Sequence, residues 1–403
     1  MVKKLVKYLF SNYLSVVLNV FRSFALAKIL LPQSLGAWSL VSTFLGYFRY
    51  YNLGFNSLAY YRAGKTGSVE LYSSLLIRTN VMLTIVFGLI YTIIFGFTQI
   101  DQFSTLGYFP IIVAFFVSSI FITQFSETYV AINKIGASFN TIATYTNILA
   151  VTGFVFVIVG AMYGNLNGML IGNLVSSFIG LVYLRKKTFI TKFRPKLYYQ
   201  RLKVFFIRSS KMIVPSLLSI AYTSSDIWMI NYRFSLKENG YFSLIQTFIT
   251  VLLILPSSVA VFYYSSNAKN MIKNEKQVYK LTAINFVLTG VLVGASYIIM
   301  SLFVQYFAPE YHKSIAIFAV LAFSIPFLSI RNVMVDVLIV KNKLLPLNVA
   351  VVILILLKIT ILALVNIDHF YLGIAGLNVC YGLVVLTVFT LIHYIKPIKT
   401  KIK

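Results

Sequence analysis

NYLSVVLNVFR at residues 12–22 and SLLSIAYTSSD at residues 216–226 are two apolar stretches that carry one polar pattern. The polar residues are Asn12, Ser15, Asn19 and Arg22 in the first stretch and Ser216, Ser219, Thr223 and Asp226 in the second. Their spacing places each set on one face of a helix. Hydrocarbon offers a polar face no hydrogen-bond partner, so each face must point to a protein interior or a watery cavity. The two stretches are therefore predicted to be equivalent helices of a duplicated membrane unit.

Further matches follow these helices in the same order. They are Gly36, Ser39 and Leu40 with Gly240, Ser243 and Leu244, then NVMLT at 80–84 with NFVLT at 285–289, and Glu127 with Asp336. An even number of helices in each half makes both halves enter the membrane from the same side. The pattern thus predicts two parallel repeats related by an axis along the membrane normal.

The composition indicates an integral membrane protein. Of the 403 residues, 59% are hydrophobic and 11% are charged, which departs far from the average for soluble domains. Apolar runs of about 20 residues have the length of a membrane-spanning helix. The predicted spans are 9–31, 35–61, 75–97, 108–132, 140–162, 164–184, 210–232, 240–264, 281–306, 314–340, 345–365 and 371–393. We therefore predict an all-α polytopic protein with twelve transmembrane helices, in which two six-helix bundles surround a central cavity.

Basic residues fix the predicted topology. The net charge is +26, and most of the 35 Lys and Arg fall in segments that become cytoplasmic if the N-terminus is cytoplasmic. One cluster, 185–211, predicts a basic linker between an N-terminal bundle, 1–184, and a C-terminal bundle, 212–403. Nucleic-acid binding by that cluster is the less favoured alternative. The first span also resembles a cleavable signal peptide. Arg22 interrupts the apolar stretch, however, and the polar residues of the span match those of the seventh span, so we expect the span not to be cleaved.

Several ionisable residues lie inside predicted spans: Arg22, Arg49, Glu127, Asp226, Arg331, Asp336 and Lys358. Each would cost roughly 2.5–3.5 kcal/mol if it faced lipid at mid-bilayer, so they cannot all do so. The middle band holds four cations and the single anion Asp226. Such a band would attract an anion, and arginine grips phosphate through a bidentate fork. The predicted substrate-binding residues are Arg22, Arg49, Arg331, Asn19 and Lys358.

Other roles remain open for two of these groups. Arg22 and Asp226 have matched depths on equivalent faces, so they could instead form an ion pair between the halves, which could itself act as a gate. Lys358 could extend its ammonium to the membrane surface rather than line a cavity. Both interpretations compete with direct substrate binding.

The two carboxylates nearer the cytoplasmic ends are candidates for ion coupling. Glu127 and Asp336, together with Asp226, are the predicted gating or coupling residues, because intramembrane carboxylates often relay ions. The alternative is that Glu127 and Asp336 pair with nearby bases such as Lys134 and Lys341.

The sequence contains no motif for an enzyme, a cofactor or a metal. It has three histidines without metal-ligand spacing, and its single cysteine, Cys380, excludes a disulfide framework within the chain. We find no phosphate-binding loop and no catalytic triad arrangement. We therefore expect a protein that is not an enzyme, needs no cofactor and binds no nucleic acid.

The sequence resembles a known family at several short motifs. LAKILLP at 26–32, LGAWSL at 35–40, Leu53–Gly54, and Asp226 followed by GYFS at 240–243 look like the polysaccharide transporter branch of the superfamily that contains multidrug and toxin exporters. The resemblance implies an O-antigen-type flippase with a V-shaped cavity between its bundles. Such a flippase carries an undecaprenyl diphosphate-linked oligosaccharide from the cytoplasmic to the external leaflet by alternating access. By position, Arg22, Arg49 and Arg331 would contact the anionic substrate.

The implied setting is the bacterial inner membrane, with both termini cytoplasmic and with membrane lipids and polysaccharide polymerase or assembly proteins as candidate partners. The twelve predicted spans leave no match for the thirteenth and fourteenth helices of the peptidoglycan lipid flippases, so we do not expect that relative. A cation-coupled multidrug exporter is an alternative, but it would favour an acidic cavity. A major facilitator is another, but its usual acidic and glycine-rich loop between the second and third helices is not seen in RAGKTG at 62–67. A membrane glycan polymerase or ligase, the alternative enzyme class, usually carries a large external loop, and none is predicted here.

Overall fold

The computed structural model describes residues 2–52, 54–66, 69–104, 109–136, 138–188, 199–250, 252–253, 275–340 and 345–394, and within these ranges it contains no β-strand. The helices are α1 (Val2–Ile29), α2 (Pro32–Phe48), α3 (Phe55–Thr66), α4 (Val69–Ser104), α5 (Phe109–Ile135), α6 (Phe139–Lys187), α7 (Tyr199–Arg233), α8 (236–250), α9 (Glu275–Phe307), α10 (His312–Ala322), α11 (Ile325–Val340), α12 (Leu345–Leu364) and α13 (Phe370–Tyr394). Short 3₁₀ turns at Pro309–Tyr311 and Ile367–His369 precede α10 and α13.

Many of these helices have the length and apolarity of membrane spans. Among the described residues, seven helices pass this test, or eight if the bent pair α10–α11 counts as one span. The count includes α6 once, although α6 consists of two arms. The chain is thus an all-α, multi-pass membrane protein as predicted, and its helices are consistent with the twelve predicted spans.

The chain divides into two compact units, Met1–Ile220 and Ala221–Lys403, which we call the N-terminal and C-terminal units. The division falls inside α7. The predicted basic linker, 185–211, begins at the end of α6, and its residues 189–198 lie outside the described part of the chain. The domain limits derived from the sequence therefore stay a prediction.

Helix α6 is a hairpin of two antiparallel arms. The turn occurs at Gly164 and Asn165, where Asn165 has φ 48° and ψ −132°, a positive φ that is uncommon for residues other than glycine. A Cβ added at Gly160 would lie 2.1 Å from the carbonyl oxygen of Gly168, so the arms touch backbone to backbone. Glycine is required there because any side chain would separate the arms. The predicted spans 140–162 and 164–184 correspond to these arms.

Two other predicted spans are interrupted. The span predicted over 35–61 is broken between the end of α2 and the start of α3, with Gly54 at φ +78° inside the break. The span predicted over 314–340 bends by 56° between α10 and α11, just before Pro326. Pro326, the second residue of α11, has no N–H to donate to the carbonyl oxygen of Ala322, so α10 cannot continue unbroken through it, which accounts for this second bend.

Aromatic rings form the interior of the N-terminal unit where α2, α4 and α5 meet. Phe95 and Phe116 stack with ring centroids 4.1 Å apart, and Phe44 meets Phe95 edge-on at 4.9 Å. All three rings are almost completely buried. Aromatic pairs add about 0.5–1.5 kcal/mol each beyond area burial, so this cluster holds the end of α2 firmly against its neighbours.

Candidate functional site

Two carbonyl groups near the end of α2 accept hydrogen bonds from side chains of neighbouring helices. The hydroxyl of Tyr91 donates to the oxygen of Phe44 at 3.1 Å, and Nε2 of Gln124 donates to the oxygen of Phe48 at 3.1 Å. A helix end in a membrane needs such partners because lipid supplies none. The next residue, Arg49, thus sits at a helix terminus whose position is fixed by α4 and α5.

The break that follows Arg49 is a defined turn. Oδ1 of Asn52 accepts a hydrogen bond from the backbone N–H of Gly54 at 3.0 Å. Gly54 has φ +78°, and a Cβ added there would lie 2.5 Å from the carbonyl oxygen of Ser209 on α7. Glycine is needed both for the backbone conformation and for this close approach.

A polar cavity of about 460 Å³ opens beside this turn in the N-terminal unit. We call it the arginine cavity. Its lining comes from α1, α2, α5 and α6 and comprises Ser15, Asn19, Arg22, Trp38, Ser42, Leu45, Gly46, Phe48, Arg49, Ser119, Ile120, Thr123, Gln124, Leu149, Ala150, Gly153, Asn173, Ser176 and Ser177. The structure therefore brings three predicted substrate residues, Asn19, Arg22 and Arg49, to one cavity.

Arg22 is seated against the α6 hairpin. A Cβ added at Gly153 would lie 3.2 Å from one terminal nitrogen of Arg22 and 3.4 Å from Oγ of Ser176. The hydroxyls of Ser176 and Thr152 are 2.8 Å apart, a hydrogen bond that joins the two arms beside the guanidinium. Gly153 thus leaves the space that the Arg22 side chain occupies.

The charges of the arginine cavity are not balanced by its own lining. No Asp or Glu contributes to the lining, and the described residues form no ion pair with Arg22 or Arg49. Two guanidinium groups in a membrane interior without a carboxylate are costly unless an anion or water stabilises them. The surrounding Ser, Thr, Asn and Gln side chains can complete the hydrogen bonding of such an anion.

A second cavity, of about 670 Å³, shares Arg49 with the first. We call it the tyrosine cavity. Its lining comprises Arg49, Tyr50, Asn52, Gly54, Asn56, Tyr60, Glu127, Val130, Ala131, Lys134, Phe139, Ile213 and Ser216. Glu127 and Lys134 both line it, yet the described residues show no ion pair between them. The coupling role predicted for Glu127 is untested and stays a prediction.

Asp226, the single carboxylate predicted for the middle band, has a partner in its own unit. Oδ1 of Asp226 on α7 lies 2.8 Å from Nζ of Lys358 on α12, and their side chains are 5% and 0% exposed. The ammonium also donates to the carbonyl oxygen of Tyr222 at 3.2 Å and lies 3.9 Å from the centre of that residue's ring. Lys358 is therefore engaged in the interior and lines neither cavity. The sequence left an ion pair between Asp226 and Arg22 open as an alternative, and no local pattern pointed to Lys358 as the partner of Asp226.

This ion pair belongs to a larger polar network. The single O–H of Tyr222 has two acceptors within reach, the carbonyl oxygen of Leu377 at 2.8 Å and Oδ1 of Asn378 at 3.2 Å, and the Tyr222 ring stacks on Tyr381 at 4.1 Å. Arg331 on α11 interacts with the Tyr381 hydroxyl. Arg331 thus lies at the edge of this network. Asp336 belongs to α11, and its side chain lies outside the described residues.

Sequence reasoning missed the part of the arginine cavity that α5 and α6 supply. Asn173, Ser176 and Ser177 occupy positions i, i+3 and i+4 of the second α6 arm. This is the same helical polar pattern that revealed α1 and α7, so the signal was present in the sequence. Ser119 and Thr123 on α5 also show the i, i+4 spacing, so this part of the lining had a signal in the sequence as well.

Comparison with known structures shows what this fold is like. A multidrug resistance MATE family transporter of the MOP superfamily, in an inward-facing conformation, matches with a TM-score of 0.72 at 13% identity, over 95% of this chain and 96% of that chain. The lipid II flippase MurJ, in an inward closed conformation, matches with a TM-score of 0.72 at 14% identity, over 96% and 87%. The Vibrio cholerae MATE transporter VcmN, in the bent form, matches with a TM-score of 0.58 at 12% identity, over 96% of each chain.

No protein-family model matches the sequence, and neither does any curated protein. At these low identities the structural likeness concerns the fold alone. The chain thus has the MATE-like fold that the sequence predicted, one shared by drug transporters and by a lipid flippase.

Proposed function

We propose that this chain is a flippase that moves an undecaprenyl diphosphate-linked oligosaccharide, such as an O-antigen repeat unit, across the bacterial inner membrane. The observation that carries the proposal is that Arg22 and Arg49 both line one polar cavity whose lining contains no carboxylate. Guanidinium groups bind phosphate through two parallel hydrogen bonds, and a diphosphate offers two such groups. In this proposal Arg22 and Arg49 hold the diphosphate while Asn19 adds a neutral hydrogen bond.

The same cavity argues against a cationic drug as substrate. A cationic compound would meet two positive groups in the arginine cavity and no compensating carboxylate in its lining. A multidrug exporter remains the alternative because the MATE transporters share this fold. The proposed flippase is not an enzyme, and ion coupling through Glu127, Asp226 or Asp336 remains a prediction, as do cytoplasmic termini.

Complementation tests the proposal. The gene is introduced into bacterial strains that lack their own O-antigen flippase, and surface glycan is measured together with the accumulated lipid-linked intermediate. We expect the wild type to restore glycan export in a strain with a matching substrate. The double variant Arg22→Gln with Arg49→Gln should be inserted in the membrane at normal levels but restore little export.

A matched control tests whether export depends on where a positive charge is lost or only on the loss of charge. Lys313 lies on α10, is 54% exposed and lines neither cavity, so Lys313→Gln removes a cation elsewhere. This variant should export normally. Full export by the Arg22 and Arg49 double variant would overturn the assigned phosphate site, and export of cationic dyes without any glycan export would favour the drug exporter.

A further inference from the structure

The tyrosine cavity has a lining unlike that of the arginine cavity. Tyr50 and Tyr60 contribute aromatic rings, and Tyr60 is 48% exposed. Such rings present an apolar face and a polar hydroxyl to the same ligand. A sugar ring matches this combination, because its C–H groups can pack on an aromatic face while its hydroxyls form hydrogen bonds at the edge.

The polar residues of this cavity supply both donors and acceptors. Oδ1 of Asn56 accepts a hydrogen bond from Nδ2 of Asn80 at 2.8 Å, which orients the Asn56 amide and leaves its own Nδ2 available to a ligand. Glu127 offers carboxylate oxygens, which only accept, and Lys134 offers an ammonium, which only donates. Adjacent sugar hydroxyls can satisfy such mixed groups because each hydroxyl both donates and accepts.

The lining makes two other parts of a lipid-linked substrate poor occupants. A prenyl tail would leave the Glu127 and Lys134 charges without hydrogen-bond partners. A second phosphate would have Lys134 in the same lining, but it would also meet repulsion from the Glu127 carboxylate, which a neutral sugar avoids. The volume of about 670 Å³ falls within the usual range of small-molecule sites.

Arg49 links the two cavities, since it lines both. In a lipid-linked saccharide the first sugar is bonded directly to the diphosphate, so the two groups must lie side by side. We propose that the tyrosine cavity is the saccharide subsite, which holds the first sugars of the substrate while Arg49 contacts the phosphate that joins them to the lipid. This inference rests on the proposed function and adds the orientation of the substrate.

Binding measurements on the full chain in lipid nanodiscs test the subsite. The two probes are a short-chain polyprenyl diphosphate and the same molecule carrying one N-acetylhexosamine. We expect the wild type to bind the sugar-bearing probe about tenfold more tightly, from one aromatic contact and one or two hydrogen bonds. The variants Tyr60→Ala and Glu127→Gln should lose most of this preference while their affinity for the plain diphosphate is retained.

Tyr163 provides a matched control, because it is 89% exposed, lies at the turn of α6 and lines neither cavity. Tyr163→Ala should keep the full preference for the sugar-bearing probe. If the wild type binds both probes equally, or if the two variants weaken both probes alike, the subsite is wrong although the diphosphate site stands. If the wild type binds neither probe, the proposed function fails and the subsite fails with it.

Discussion

Lys358 and Asp226 form an ion pair 2.8 Å long inside the C-terminal unit, where the lysine side chain is fully shielded from solvent and the aspartate is 5% exposed. The carbonyl oxygen of Tyr222 and the face of its ring also contact the ammonium. A buried charge that loses its partner is far more destabilising than a pair replaced as a whole. Each of these two charges is therefore expected to depend on the other for its burial between α7 and α12.

The first prediction concerns removal of one partner. Lys358→Met preserves most of the side-chain volume but leaves the Asp226 carboxylate unpaired, so we expect the free energy of unfolding to fall by about 3–5 kcal/mol. The double variant Lys358→Met with Asp226→Asn removes both charges and should recover a large part of that loss. Unfolding of the detergent-solubilised protein, followed by intrinsic fluorescence, measures each value.

An exposed ion pair of the same unit serves as the control for this prediction. Nζ of Lys313 lies 2.6 Å from Oε1 of Glu238, with the lysine side chain 54% exposed. Lys313→Met should cost at most about 1 kcal/mol, as is usual for surface pairs. Equal effects at Lys358 and Lys313, or a double variant no better than Lys358→Met, would contradict the view that the loss in Lys358→Met comes from the unpaired Asp226 carboxylate.

The polar stripes of α1 and α7 show what could be predicted from the sequence. Their spacing indicated that both faces point inward, and the structure places Asn19 and Arg22 in a cavity and Asp226 in a buried pair. Helix periodicity determines which residues share a face, but the residue that meets that face comes from another helix. Lys358 is a lone cation in an apolar span, and no local pattern links it to α7.

The break between α2 and α3 shows a second limit. Hydropathy averaged over residues 35–61 predicts one uninterrupted span, whereas the chain turns at Asn52 and Gly54. Asn and Gly close together are a turn signal that could have been weighed against the apolar run. The hydrogen bond from Gln124 to Phe48, which supports this helix end, depends on packing between distant segments and has no local signature.

A second prediction separates stability from substrate binding at Gly153. In Gly153→Ala the added Cβ would lie 3.2 Å from a terminal nitrogen of Arg22 and displace the guanidinium, while alanine favours the helix by up to about 1 kcal/mol. We expect affinity for a polyprenyl diphosphate to fall several-fold without a lower unfolding temperature. Gly96→Ala is the control, since nothing lies within 4 Å of a Cβ there and its affinity should not change. Unaltered affinity in Gly153→Ala would argue against Arg22 as a phosphate ligand.

A third prediction addresses the turn that positions Arg49. Gly54→Ala places a side chain at φ +78°, which costs about 1–2 kcal/mol, and its Cβ would lie 2.5 Å from the carbonyl oxygen of Ser209. The variant should have a clearly lower unfolding temperature and weaker diphosphate binding, because the turn and α7 must both shift. Gly96→Ala again gives the baseline for a glycine replacement without contacts. Wild-type stability in Gly54→Ala would show that the turn can rearrange freely.

The fourth prediction concerns Arg233, the last residue of α7. Its guanidinium donates to the carbonyl oxygens of Leu362 at 3.1 Å and Val365 at 3.2 Å, and to that of Ala363 between them. These are the free carbonyl groups at the end of α12, which a cation also stabilises through the helix dipole. Lysine keeps the charge but cannot bridge three acceptors from one planar group, so Arg233→Lys should lower the free energy of unfolding by about 1–3 kcal/mol.

Comparison with a nearby charge distinguishes this cap from a general charge effect. Lys237 lies four residues further along the chain and is exposed, so Lys237→Gln should leave the unfolding transition almost unchanged. Hydrogen exchange of the amides at the end of α12 gives a second readout, because a weakened cap should speed exchange there before it affects the rest of the unit. A uniform increase across the C-terminal unit, or none in Arg233→Lys, would mean that the three carbonyl contacts contribute little to holding α12 in place.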